Sequence, residues 1–188
     1  MDDVLREAIE KDLYNELRWL LSASTQWYAH DQLIGEPPQV PLIKEPCHDL
    51  KVYTMDSAFL HARSLYEFFT ATKTRPDRLT WRDYSQTSPQ TSAKYEQFRT
   101  PLHGRLMHLN KDRSEYDGIK SEVVEIAKDV LILWDAFSAA LAADPNLRPY
   151  ADLLGRYREV ARAEAAHVAE QYKEFGFKAA VHLNRMCC

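Results

Sequence analysis

The chain has 188 residues, 45% of them apolar, with 24 basic against 28 acidic side chains and a formal charge of −4. These figures fit one folded domain with a core of its own, neither disordered nor dependent on disulfides. The acidic balance speaks against a long nucleic-acid footprint, so no extended DNA contact is expected, and only five glycines are present, too few for the many tight turns of a sheet fold.

The opening Met1-Asp2-Asp3 carries neither the basic nor the apolar stretch of a secretory leader. The longest aliphatic or aromatic run, Val130 to Trp134, is far too short to cross a bilayer. The expectation is a cytoplasmic protein with no membrane partner. Cys47 and the vicinal pair Cys187-Cys188 do not make a disulfide framework and are read as reduced thiols.

Leu5, Ile9, Leu13, Leu17, Leu20, Ala23 and Trp27 recur at three or four residues, the stripe of a long first helix. Asp2 or Asp3 can cap its start, and Gly35 ends it. Prolines 37, 38 and 41 then predict a non-helical connector over 36–53, because proline lacks a donor and pushes its predecessor to an extended conformation. A second helix is predicted from Thr54 or Asp56, with Ala58, Phe59, Ala62, Leu65, Tyr66 and Phe69 on one face, fading at Thr72 to Pro76. Residues 75–90 form a polar loop in which Trp81 and Tyr84 would anchor one short turn.

Ser88-Pro89 and Thr100-Pro101 each place a capping side chain before a proline, which predicts two short helices starting there. A further long helix is expected from around Asp117 to Ala142, on the near-unbroken spacing of Ile119, Val123, Ile126, Val130, Leu133, Phe137 and Leu141. Past Pro145, a last helix of about Tyr150 to Phe175 ends with Gly176 in the left-handed cap position. Val52-Tyr53 is the best strand candidate. The fold class that follows is all-α: residues 1–188 form a single-domain bundle of four long helices, with one or two short helices inserted between the second and third.

Three groups of residues have the chemistry for a site. On the second helix, Arg63 and Glu67 are four apart and can pair, while His61 flanks the apolar stripe. That group reads either as a core-edge histidine beside a surface ion pair or as a ligand-binding set facing a cleft. The second group is His103, Arg105, His108, Asn110, Asp112 and Arg113. Arg105, His108 and Asp112 fall in one narrow helical sector, so Asp112 would orient or raise the pKa of His108 and Arg105 would hold an anionic group. A solvated polar face has the same pattern. The third is Glu164-Ala165-Ala166-His167, the E-x-x-H step of di-metal bundles. Its only counterpart, Glu45-Pro46-Cys47-His48, sits in the connector, and no histidine or cysteine pair has zinc-finger or zincin spacing, so no metal and no cofactor are expected.

The run His61-Ala62-Arg63-Ser64-Leu65-Tyr66-Glu67-Phe68-Phe69, a Trp-containing loop, and then His103 to Arg113 together resemble uncharacterised bacterial helical proteins. Those share a HAR…FF helix and an H-L-x-x-x-R turn, here His108 to Arg113. More distantly the layout is similar to HEPN domains, helical bundles that include metal-independent ribonucleases whose composite site forms between two chains. That resemblance implies a dimer, with RNA as ligand or substrate, His108 as acid-base and Arg105 and Arg113 on phosphate. The HEPN signature has four to six residues between its arginine and its histidine. Counting back from His108 gives Leu102 or His103, and the formal match Arg162 to His167 has Ala163 where the family has a polar residue.

Three functions stay open on these grounds. The first in order is a non-catalytic interaction protein, a homodimer or the partner of another helical protein, using the apolar helix Val123 to Leu141 and the off-stripe Trp19, Leu21 and Tyr28. The second is a HEPN-like ribonuclease or RNA-binding protein using His108, Arg105 and Arg113. The third is a metal or small-molecule binder using His61 and His108.

Overall fold

Asp2 starts the first helix as expected: its Oδ1 accepts from the backbone N–H of Val4 at 2.8 Å and of Leu5 at 3.4 Å. The structure, a computed structural model, describes residues 2–34, 44–74, 78–85, 91–107 and 122–186. Helix α1 (Asp3–Glu7) runs into a single π-helical turn (Ala8–Leu13) and on into α2 (Tyr14–Ile34), one continuous rod. The predicted stripe from Ile9 to Trp27 is buried. Leu21 is buried as well, against its reading as a free apolar residue, because α2 packs on α3, α5 and α6 at once and so buries more than one stripe.

The second helix, α3 (Lys44–Thr70), begins well before the expected Thr54. The connector assigned to 36–53 is therefore helical from Lys44 onward, Val52-Tyr53 is helix and not strand, and residues 36–43 lie outside the described residues. Pro46 does not prevent this. It is the third residue of the helix, inside the first turn, where backbone N–H groups have no intrahelical partner to lose.

Between the second and third long helices, a 3-10 turn (Trp81–Asp83) and one short helix, α4 (Ala93–Met107), are inserted. Thr80 and Asp83 close a capping box on the turn, with Thr80 N–H donating to Asp83 Oδ2 at 2.7 Å. Trp81 and Tyr84 are the buried anchors the sequence suggested. Trp81 Nε1 donates to the Ala71 carbonyl at 2.9 Å, and the Tyr84 hydroxyl to the Leu5 carbonyl at 2.9 Å.

Ser88-Pro89 lies outside the described residues. The cap of α4 is Ser92, whose Oγ accepts from Tyr95 N–H at 2.8 Å. The second predicted start, Thr100-Pro101, is corrected: α4 runs through it. An interior proline costs a helix about 3 kcal/mol, and burial of Tyr95, Phe98 and Leu102 along one face of α4 opposes that cost.

The third and fourth long helices are α5 (Val123–Ala142) and α6 (Arg148–Met186). The predicted beginning of α5 near Asp117 lies outside the described residues. Helix α6 passes Gly176 instead of ending there; a helical glycine costs only about 1 kcal/mol, and no described glycine has the positive φ that the cap requires. The apolar residues of α5 from Val123 to Leu141 go mostly into the core, leaving Ile132 exposed. The described residues form an all-α bundle of four long helices and include no strand. No helix among them is long and apolar enough to cross a membrane.

Edge-to-face aromatic rings fill the middle of the bundle, with Phe68 to Phe137 at 5.5 Å, Tyr84 to Phe137 at 5.8 Å and Phe69 to Trp134 at 6.2 Å between centroids. A polar network crosses it. Asp129 on α5 accepts from the Tyr66 hydroxyl at 2.7 Å and from Ser92 Oγ, tying α5 to α3 and to the cap of α4. Asp129→Ala takes the acceptor from the buried Tyr66 hydroxyl and is expected to cost about 1–3 kcal/mol. A double-mutant cycle with Tyr66→Phe, read by urea unfolding, should show a coupling of about 0.5 kcal/mol or more, and additivity would contradict the network.

Candidate functional site

A cleft of about 1000 Å³ opens beside the first helical rod. One side is the π-helical turn and the start of α2, which contribute Ala8, Asp12, Leu13 and Glu16. The other is the C-terminal half of α3, including Leu60, Arg63, Glu67 and Phe68. Lys73, Arg78, Leu79, Thr80 and Tyr84, with Tyr95, Glu96 and Arg99 from the first turns of α4, complete it. The π turn is informative here. A turn of that kind interrupts α-helical hydrogen bonding and is found disproportionately at functional sites, where it re-aims side chains. Three of its residues line the cleft.

The electrostatics centre on Glu67. Arg63 Nε donates to its Oε1 at 2.8 Å and Arg78 Nη1 to its Oε2 at 2.5 Å, so one carboxylate ties α3 to Arg78, just before the Trp81–Asp83 turn. The Arg63–Glu67 pair is the one the spacing suggested; Arg78 is an addition from a distant segment. His61 does not line the cleft but holds one of its walls. Its Nδ1 lies 2.9 Å from Oε2 of Glu16, and since a carboxylate only accepts, Nδ1 carries the proton. The ring also stacks on Trp19, with centroids 6.4 Å apart. Burial pushes the Tyr95 hydroxyl above its ordinary range, keeping it a neutral donor on the α4 side.

The second predicted group is only partly placed. His103 and Arg105 stand in the last turns of α4, with their side chains outside the description. His108, Asp112 and Arg113 lie outside the described residues. The glutamate of the E-x-x-H step fastens α6 to α2. Its Oε1 accepts from the Tyr14 hydroxyl at 3.0 Å, and Oε2 of the same Glu164 lies 2.6 Å from Arg18 Nε. His167 faces Gln171, and Arg162 pairs with Glu159, both on the exposed side of α6. Among the described residues no three histidine, cysteine, aspartate or glutamate side chains gather as a metal-binding group.

Sequence reasoning missed Asp12, Glu16, Lys73, Arg78 and Arg99. Asp12 and Glu16 stand four apart on one flank of the rod, a legible sign of a common face. Nothing local marks the others, which lie far along the sequence from the rod whose cleft they share. Comparison with known proteins finds no matching family model, no similar curated protein and no similar solved structure. Fold and cleft together define a helical bundle with a lateral, charged, aromatic-walled groove.

Proposed function

We propose that this chain is a non-catalytic helical-bundle interaction protein, and that it takes a segment of a partner protein in the cleft between the first helical rod and α3. One observation carries this reading. Large apolar side chains stand exposed on the cleft and beside it: Leu60 is 47% and Leu79 38% exposed among the lining residues, and Trp19, stacked on His61, is 50% exposed. Exposed apolar groups gathered at a groove rimmed by charge are the pattern of a docking surface. The polar groups there are arranged to hold structure: Glu67 is bound by two guanidinium groups, and Glu16 by His61.

The surface suggested by sequence is narrower than expected, since Leu21 and most of α5 lie in the core, while Trp19 and Tyr28 remain exposed. The resemblance to HEPN bundles stays a proposal about ancestry and adds RNA as an alternative ligand through Arg105, His108 and Arg113. A small-molecule reading is favoured by the cleft itself, whose volume matches the upper end of ligand pockets. Its open, charged lining and exposed leucines fit a polypeptide better.

Selection of displayed random peptides on the purified chain tests the proposal. Enriched peptides should bind Leu60→Asp at least tenfold more weakly than wild type, with circular dichroism of the variant unchanged because Leu60 is exposed. Peptides that bind the variant equally well, or a selection that enriches none, would sink it.

A further inference from the structure

The charges of the cleft are sorted by element. The first helical rod contributes carboxylates alone, Asp12 and Glu16. The facing side, made of α3, the residues described between α3 and the Trp81–Asp83 turn, and α4, contributes Arg63, Lys73, Arg78 and Arg99 against Glu67 and Glu96. Glu67 is shared by Arg63 and Arg78, so that trio keeps one positive charge. Lys73 and Arg99 are exposed and make no ion pair among the described residues, and Asp12 makes none on the opposite wall. The same lining includes the apolar side chains Leu13 from the rod and Leu60, Phe68 and Leu79 from the facing side.

A ligand of one charge sign is attracted by one wall and repelled by the other. A ligand with separated charges satisfies both, and reversing its order sets like charges against each other, so the cleft selects for orientation as well as composition. We infer that the partner segment is dipolar: a stretch of polypeptide with lysine or arginine at one end, aspartate or glutamate at the other, and apolar residues between. Its basic end faces Asp12 and Glu16, and its acidic end faces Lys73 and Arg99. This rests on the reading of the cleft as a docking site for another protein's segment and adds the chemistry of that segment.

The test uses four dye-labelled synthetic peptides of equal length and equal apolar content: basic-apolar-acidic, all-basic, all-acidic and uncharged. Binding to the full chain is followed by fluorescence anisotropy at low salt. The dipolar peptide should bind at least tenfold more tightly than any other, and the preference should shrink as salt screens the exposed charges. Lys73→Glu combined with Arg99→Glu makes both walls acidic, and the preference should switch to the all-basic peptide.

Equal binding of all four peptides, lost on Leu60→Asp, overturns the charge inference and leaves the docking reading standing. Tighter binding of a single-sign peptide to the wild-type chain overturns it too. No binding by any of the four, or binding indifferent to Leu60→Asp, overturns both. A labelled RNA oligonucleotide that outcompetes every peptide overturns both in favour of a nucleic-acid ligand.

Discussion

Replacing Trp81 by alanine is expected to destabilise the chain by about 3–5 kcal/mol, the usual loss for emptying a large aromatic site in a core. Trp81 is 1% exposed and comes from a three-residue turn, so few backbone hydrogen bonds hold its segment in place without it. Its indole covers the end of α3 and donates to the Ala71 carbonyl, where that helix has just run out of partners. Arg82, next to it, sits over the ring at 4.5 Å and also donates to the Ala71 carbonyl at 3.2 Å. The substitution therefore loosens the segment that carries Arg78, Leu79 and Thr80 into the cleft, and weaker peptide binding should accompany the lost stability. Trp81→Phe keeps most of the apolar volume and gives up the hydrogen bond, for an expected loss of about 1–3 kcal/mol. Urea unfolding of the two variants separates the terms. A loss for Trp81→Ala no larger than that for Trp81→Phe would contradict the assignment of the ring as the anchor.

The second large effect is alkaline. Tyr66 and Tyr84 are buried, and burial holds both phenols protonated well above the ordinary tyrosine range. The neighbouring Asp129 carboxylate, which accepts the Tyr66 proton in a hydrogen bond, pushes Tyr66 in the same direction. The folded values lie above the unfolded one, so the stabilisation is fully present below the unfolded value and is lost as pH rises towards the folded values. Past about pH 10 the unfolded chain sheds protons that the folded chain keeps, and each tyrosine should cost about 1.4 kcal/mol per further pH unit. Urea midpoints measured on either side of that pH should fall steeply, and Tyr84→Phe should remove about half of the slope contributed by this pair. A slope unaltered in Tyr84→Phe would contradict the account.

Periodicity made the bundle legible. Four stripes at three-four spacing require four long helices, and the Asp2 cap and the Arg63–Glu67 pair depend on near neighbours that a sequence displays; Trp81 and Tyr84 stood out as the aromatics of a polar loop, although Tyr84 is anchored on Leu5, far away in the sequence. Errors fell where a local rule met a tertiary one. Prolines 37, 38 and 41 suggested a connector lasting to residue 53, whereas α3 starts at Lys44 with Pro46 in its first turn, and proline at 101 looked like a start while buried residues on either side carry α4 through it. Gly176 offered a cap that α6 does not use.

The cleft was the least legible part because its contacts are distant in sequence. Glu16 meets His61 across 45 positions, and Arg78 reaches Glu67 across 11. No composition or spacing rule announces the π turn at Ala8–Leu13, which is defined by its backbone hydrogen bonds.

The central claim is that a partner is met in this cleft and not elsewhere on the bundle. Its most direct measurement is an amide chemical-shift map of the isotope-labelled chain, titrated with the best-binding peptide. Shifts concentrated at Asp12, Glu16, Leu60, Ser64, Lys73 and Arg99 are the predicted result. Two exposed apolar residues away from the cleft, Ile132 on α5 and Val160 on α6, supply the contrast. Shifts centred on those two, with the cleft unmoved, would contradict the account and place the interaction surface on the α5–α6 face.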